Sequence, residues 1–122
     1  MLKEMLKSME IMSPLMEDKI RVETAEVADK PVTIVGVDFV DGNNGEFSII
    51  LLKEYPDNFL FGGSVVTDRL KKLSNSLGGV DELNMAIDKE GGIPVVFVSV
   101  KAKVKSSKNG MYNTYTDMKV RE

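Results

Sequence analysis

The sequence predicts a mainly β domain in which five short strands accompany one helical stretch. Three observations lead to this prediction. Apolar and β-branched runs recur between clusters of turn residues, two pairs of these runs are joined by hairpin-type turns, and leucines at helical spacing separate the third run from the fourth. The chain has 122 residues, 43% of them hydrophobic, which suits one domain with one core.

Residues 1–19 are predicted to be an amphipathic N-terminal segment that begins with a short helix ending near Pro14. A helix with so short an apolar stripe is not stable in isolation. We therefore expect the segment to pack either on the domain, residues 20–122, or on a second subunit. A further helical turn is predicted just before Pro31. The apolar residues of the N-terminal stripe are Met1, Leu2, Met5, Leu6, Met9 and Met12.

Strands one and two are predicted over residues 31–40 and 46–55, because both runs are rich in apolar and β-branched residues. The sequence Asp-Gly-Asn-Asn-Gly lies between them and predicts a hairpin. Gly36 interrupts strand one, which indicates a bulge or a sharp bend. Strand two is apolar on both faces, which indicates either helix cover or an oligomer interface.

Strand three is predicted to end at a pair of glycines, and two short helices or one broken helix follow over residues 64–91. Ser64 or Thr67 is the expected N-cap of the first helix. Gly78 and Gly91 are the expected helix stops.

Strands four and five are predicted over residues 93–105 and 111–120, with an Asn-Gly turn between them that is the strongest hairpin signal in the chain. Every second residue from Val96 to Val104 is apolar, so this set is expected to face the core. The other set begins apolar and becomes cationic. We therefore expect it to face outward.

Five short antiparallel strands with a helix between the third and the fourth match the OB-fold, a partly open Greek-key barrel. In that arrangement the helix closes one end of the barrel and its leucines complete the core. A small β-sandwich and a split β-meander give a similar order of elements and remain alternatives.

Two stretches, Lys30–Leu52 and Val96–Val120, resemble the single-stranded DNA-binding proteins encoded by bacteriophages, particularly tailed phages of lactic-acid bacteria. The resemblance rests on Lys-Pro before strand one, Gly-Glu at the start of strand two, and Lys-Ser-Ser-Lys-Asn-Gly-Met-Tyr at the last hairpin.

This resemblance implies an OB-fold that coats single-stranded DNA during replication and recombination in the cytoplasm of the host cell. It also implies a homo-oligomer, with a dimer favoured, and phage or host recombination and replication proteins as partners. Cellular relatives end in a flexible acidic tip that recruits partner enzymes. This chain ends Thr-Asp-Met-Lys-Val-Arg-Glu, so recruitment by that route is not expected.

A row of lysines is the main candidate for the DNA-binding site. The net charge is −3, yet the stretch from Lys101 to the end has six Lys/Arg and two carboxylates, which indicates a directed binding face. Lys101, Lys103 and Lys105 fall on every second residue and therefore on one side of a strand. Together with Lys108 near the hairpin tip they predict a track for phosphates.

Aromatic residues near this row are candidates for stacking on bases. Phe97 shares the parity of the lysines on strand four, and Tyr112 and Tyr115 lie on strand five. Tyr115 is favoured as the outward tyrosine, whereas Tyr112 is either outward or part of the core. Lys53 and Tyr55, at the end of strand two and before a proline, complete the predicted site as surface contacts.

Catalysis is not expected. The chain has no cysteine and no histidine, which excludes disulfides, thiolate zinc sites and histidine-based catalytic units. No phosphate loop or dinucleotide-binding motif occurs, so we expect no cofactor. Asp38, Asp41 and Glu46 flank the first hairpin and would suit a hard cation, but such Asp/Asn/Gly clusters are typical of plain turns, and we expect no metal.

Two other interpretations of the lysine row compete with DNA binding. Outward lysines on an edge strand also prevent aggregation between strands. If that is their role, the protein is an OB-like protein-interaction or assembly module without nucleic-acid binding. RNA binding uses the same stacking and charge. No apolar run reaches the length of a membrane helix and no signal peptide is recognised, so a cytoplasmic protein without membrane contact is expected.

Overall fold

A computed structural model describes the backbone of residues 13–42, 45–103 and 112–121, and the side chains of all of these except 101–103 and 112–114. Within these ranges six strands form one sheet in the order β1-β4-β3-β2-β5-β6. The β1–β4 pair is parallel and the other pairs are antiparallel. The strands are β1 (Ile20–Arg21), β2 (Pro31–Gly42), β3 (Gly45–Leu52), β4 (Tyr55–Gly62), β5 (Ile93–Lys103) and β6 (Tyr112–Val120).

The mainly β class is confirmed, and the five longer strands occur in the predicted order, with the helices between the third and the fourth of them. The short β1 strand was not predicted. A closed ring of the five longer strands would require β4 to pair with β6. The described residues show no such pair, so the sheet is open between these two strands.

The lead-in segment explains why β4 is not free to pair with β6. Arg21 on β1 lies opposite Phe59 on β4. The Val22 N–H then donates to the Phe59 carbonyl at 2.8 Å, and the Thr24 hydroxyl donates to the Phe61 carbonyl at 3.4 Å. Residues 20–24 therefore satisfy the edge of β4 that a closing strand would use.

Three α-helices cover this sheet within the described residues: α1 (Thr24–Val27), α2 (Ser64–Leu77) and α3 (Val80–Glu90). A 3-10 turn over Pro14–Met16 precedes them. The α1 helix is the helical turn predicted before Pro31. The α2 helix contacts β3, β4 and β6, so it spans the gap between β4 and β6.

The core lies between the inner face of the sheet and helices α2 and α3. Burial of these side chains is the main favourable contribution to folding. The fully buried members of the core are Val27, Val32, Ile34, Val37, Ile50, Leu60, Val66, Leu70, Leu83, Val95 and Phe97.

The predicted helix stops are confirmed and the predicted N-cap is wrong. Gly78 and Gly91 end α2 and α3 with φ of 106° and 78°, a left-handed conformation that glycine adopts without steric cost. Gly63 is the N-cap of α2. The Thr67 hydroxyl is instead buried, where it accepts from the Ser48 N–H at 2.9 Å.

The first hairpin and the bulge at Gly36 are confirmed. Residues Gly42 and Gly45 form the last described pair of β2 with β3, and the register shifts between Ile34 and Gly36. Beyond Ile34, β2 makes no described pair with β5. The bulge therefore marks the point where β2 leaves one of its two neighbours.

The predicted core face of β5 is wrong. Val95 and Phe97 are fully buried, whereas Val96, Val98 and Val100 are half-buried. Pairing with β2 decides this, because Val95 lies opposite the buried Val32 and must share its face. The prediction of the opposite core face depended on lysines that lie farther along β5, beyond the stretch that pairs with β2.

No helix in the described part of the chain is long and apolar enough to cross a membrane.

Candidate nucleic-acid interface

Lys101 and Lys103 of the predicted lysine row lie in a ribbon formed by β5 and β6. In the backbone register Lys101 lies opposite Thr114 and Lys103 lies opposite Tyr112. Lys105 and Lys108 lie outside the described residues. The pairing of β5 with β2 ends at Val96, so the part of the ribbon that contains the lysines extends past the sheet without a third strand in the described structure.

Phe97 is not available for base stacking. Its side chain is fully buried, and it lies opposite Met118, which also packs against the core. The prediction that Phe97 faces outward with the lysines is therefore wrong, for the reason given for Val95. Tyr115 is half-buried and lies opposite Val100. The backbone of Tyr112 lies in β6, whereas its side chain is outside the described set.

Lys53 and Tyr55 are not part of the same surface as the lysine row. The Lys53 N–H donates to the Thr33 carbonyl at 2.9 Å, and Thr33 lies opposite Pro94. Lys101 lies seven residues farther along β5, about 23 Å at strand rise. Tyr55 is predicted as a surface contact, but it is the first residue of β4 and packs half-buried against the core.

A groove that was not predicted lies where β2 ends and β3 begins. It has a volume of about 740 Å³. Its apolar and cationic walls are Phe47, Phe61 and Arg21. The remaining lining residues are Gly42, Gly45, Glu46, Gly62, Gly63 and Ser64, so much of the floor is bare backbone.

The aromatic wall of the groove is a packed cluster. The Phe47 and Phe61 rings are 5.0 Å apart at 77°, an edge-to-face contact, and Phe59 lies 5.5 Å from Phe61. The guanidinium carbon of Arg21 lies over the Phe61 ring, 4.4 Å from its centroid. The register explains the cluster, because β1 places Arg21 beside Phe59 on β4, two residues from Phe61.

A second cation–aromatic contact lies beside the groove. The Lys71 Nζ is 4.7 Å from the centroid of Phe39 and 3.1 Å from a carboxylate oxygen of Glu46. Cations from β1 and from α2 therefore lie near the two sides of the first hairpin.

Helix α2 connects the groove to the ribbon. Ser64 at its start lines the groove, and Arg69 lies five residues later, about 7.5 Å along the helix axis. Both oxygens of Asp117 on β6 accept from Arg69, at 2.5 and 2.9 Å. Asp117 lies opposite Val98, three residues before Lys101. The part of the ribbon at Val98 and Asp117 is thus held close to the groove.

The Arg69–Asp117 contact also affects ionisation. The hydrogen bond from Arg69 is the main reason that the pKa of Asp117 lies below its usual value, and the charge of Arg69 lowers it further. The same hydrogen bond raises the pKa of Arg69. The pair is therefore ionised at neutral pH and ties α2 to β6.

Two of the three acidic residues that flank the first hairpin have hydrogen-bond or ion-pair partners within the protein. Asp38 accepts from the Ser13 hydroxyl at 2.5 Å and from the Phe39 N–H at 2.9 Å. Glu46 pairs with Lys71, and Asp41 lies opposite Glu46 in the register. The described residues contain no group of three or more Asp, Glu, His or Cys arranged to hold a metal ion.

Sequence reasoning missed Arg21, Phe47 and Phe61 because each residue type has a more common role. Phenylalanines in strands usually belong to the core, and Arg21 precedes the first predicted strand. A usable signal was present, since Phe61 directly precedes two glycines at the end of one strand and Phe47 lies two residues after Gly45 at the start of another. Comparisons with family models, with curated proteins and with solved structures gave no match for this chain.

Proposed function

We propose that the protein is a non-catalytic, sequence-tolerant binder of single-stranded DNA. The observation that supports this best is the groove of about 740 Å³ between Arg21, Phe47 and Phe61. Proteins that hold single strands combine aromatic side chains, on which bases stack, with cations that follow the phosphates. The groove supplies aromatic rings and a guanidinium on one open surface.

The ribbon supplies the second requirement. Its sequence has lysines at every second residue from Lys101 to Lys105, in a chain whose other parts are acidic. Lysine contacts to phosphate are ionic and tolerant of geometry, which suits binding that does not depend on base sequence. Since α2 holds the ribbon near the groove, one strand can contact both.

We propose the OB-fold as the architecture that presents this site. The five longer strands have the order β4-β3-β2-β5-β6, and joining its two ends would give a five-stranded barrel. Helix α2 spans the open edge, as a helix between strands three and four does in that fold. The groove then lies on the face of the second and third barrel strands, where OB-folds bind oligonucleotides.

The biological role follows from the resemblance of the sequence to phage proteins. We propose that the protein coats and protects single-stranded DNA during phage replication and recombination, as a homo-oligomer in the cytoplasm of the host. Phage or host recombination and replication proteins are the partners that this role implies.

Fluorescence anisotropy of labelled oligo-dT, titrated with the protein at low and moderate salt, tests the proposal. We expect tight binding that weakens steeply with salt, because bound lysines release counterions from the strand. Unlabelled duplex of the same length should compete poorly, since its bases are already stacked. Failure to bind oligo-dT at low salt would refute the proposal, and stronger competition by matched RNA would redirect it to RNA.

A second function, an assembly module without nucleic-acid binding, is favoured by one observation. Leu73 and Leu77 on α2 are 40% and 41% exposed and line a cleft of about 250 Å³ against α3. Exposed leucines in a cleft are typical of a protein-binding surface. Oligo-dT binding distinguishes the two functions, because an assembly module would never bind oligo-dT. Sedimentation velocity of the wild type and of Leu77→Glu then tests whether this cleft holds an oligomer together, since the variant would lose its oligomers.

A further inference from the structure

Arg21 occupies an unusual position for a residue of a DNA-binding groove. It lies on β1, a two-residue strand outside the five longer strands, and its side chain is 49% exposed. The parallel pairing of β1 with β4 fixes its backbone beside Phe59. Its position therefore depends on the lead-in segment and not on the hairpins.

The faces of Phe61 are largely taken by its neighbours. The Arg21 guanidinium covers the ring at 4.4 Å, the Phe47 ring meets it edge-to-face at 5.0 Å, and the Phe59 ring is tilted against it at 5.5 Å. A base that entered the groove would have to displace Arg21 to stack on Phe61 directly. Stacking on the guanidinium itself requires no such displacement.

The guanidinium group has the chemistry for this role. It is planar and weakly hydrated, so it can lie flat between an aromatic ring and a base, whereas an ammonium group has no plane on which a base can stack. Unpaired bases stack on arginine planes as well as on aromatic side chains in nucleic-acid complexes. Glu23 lies 3.6 Å from one Arg21 nitrogen and helps to orient the group.

We propose that Arg21 is a stacking platform for one unpaired nucleobase, in a three-layer stack of base, guanidinium and Phe61 ring. The inference rests on the proposed function and extends it to a residue and a mode of contact. The contact uses the π-face of the base and leaves its hydrogen-bonding edges unread. It is therefore compatible with sequence-tolerant binding.

The test compares two ligands of equal length and equal charge, oligo-dT and an abasic oligonucleotide with the same phosphates. The full chain is used as wild type, Arg21→Lys and Arg21→Ala. Arg21→Lys keeps the charge but removes the plane. We expect it to lower affinity for oligo-dT about tenfold, the loss of roughly one stacked base, while affinity for the abasic strand is unchanged.

Arg21→Ala removes both plane and charge, so it should weaken binding of both ligands. Lys89→Ala is the matched control for a lost positive charge, because Lys89 is exposed on α3 and lies outside the lining of the groove. This control should bind both ligands like the wild type. Thermal melting followed by circular dichroism verifies that all variants are folded.

Two results would overturn the inference. Equal affinity of Arg21→Lys and the wild type for oligo-dT would mean that the plane of the guanidinium is not used. An equal loss on oligo-dT and on the abasic strand would make Arg21 a phosphate contact. Wild-type binding of oligo-dT separately decides the proposed function, so the two failures are distinguishable.

Discussion

The side chain of Asn84 on α3 replaces a missing strand partner for Val37 on β2. Its amide nitrogen donates to the Val37 carbonyl at 2.7 Å, and its amide oxygen accepts from the Val37 N–H at 2.9 Å. These backbone groups lie where β2 has left β5 after the bulge. One helical side chain thus satisfies both polar groups of a residue that is itself buried.

Replacing Asn84 by alanine should therefore destabilise the fold. We expect the free energy of unfolding to fall by about 2 kcal/mol, since two backbone groups lose their partner in a partly buried position. Urea denaturation measures the change. Asn75→Ala on the exposed face of α2 is the matched control, for which we expect a change within about 0.5 kcal/mol. Equal effects of the two substitutions would show that water satisfies Val37 instead.

A pair of adjacent glycines before α2 gives a second prediction about stability. A Cβ added at Gly62 would collide with the Ser48 Oγ, whereas one added at Gly63 meets nothing within 4 Å. Ser48 cannot move freely, because its hydroxyl is 2.8 Å from the buried Thr67 hydroxyl.

Gly62→Ala should consequently lower the free energy of unfolding by about 1–3 kcal/mol, the usual cost of forcing extra volume into a packed site. Gly63→Ala should lower it by only about 1 kcal/mol or less, the cost of alanine at a helix N-cap. Both are measured by urea denaturation under the same conditions. A Gly62→Ala protein as stable as the Gly63→Ala protein would contradict the packing described here.

The features predicted correctly from the sequence depend on residues close together in the chain. The helix ends at Gly78 and Gly91 each follow from the conformational freedom of one glycine, and the bulge lies at the glycine that interrupts the apolar run of β2. The first hairpin likewise follows from the turn residues between two apolar runs. Such signals do not depend on where the rest of the chain lies.

The features that were missed depend on contacts between distant residues. Phe97 is buried because β5 pairs with β2 in a register that no local pattern encodes. The β1 strand consists of two residues and exists only because β4 offers a free edge. The contact of Arg21 with Phe61 follows from that same pairing, so the groove was not predictable from periodicity.

The Arg69–Asp117 pair should make stability depend on pH. Because the pKa of Asp117 is lowered in the folded state, mainly by the hydrogen bond from Arg69, folding favours its ionised form. Its contribution is present above the unfolded pKa, near 3.8, and is lost as the pH falls through the lower folded value.

Asp117→Asn should therefore be less stable than the wild type at neutral pH, and the difference should shrink below about pH 4. Thermal melting over a series of pH values measures this, with Asp57→Asn as a control at an exposed carboxylate on β4. A difference between Asp117→Asn and the wild type that stays constant down to about pH 3 would refute the assignment.

The lysine row itself is tested by charge reversal. Replacing Lys101, Lys103 and Lys105 by glutamate should lower affinity for oligo-dT by about 100-fold or more at low salt, because three phosphate contacts become repulsive. We expect the fold to be retained, because the row is predicted to face solvent and surface substitutions usually change stability little. Anisotropy titrations and thermal melting measure the two quantities.

The matched control applies the same charge change elsewhere, at the exposed residues Lys30, Lys72 and Lys89. Because both triple variants have the same net charge, any general repulsion of DNA affects them equally. We expect the control to bind within a few-fold of the wild type and to keep its salt dependence, while the ribbon variant loses most of that dependence. Equal losses in the two variants would mean that net charge, and not the ribbon, governs binding. Undiminished binding by the ribbon variant would instead show that its lysines do not contact DNA. They would then protect an edge strand from aggregation, and the groove at Arg21 would be the DNA-binding site.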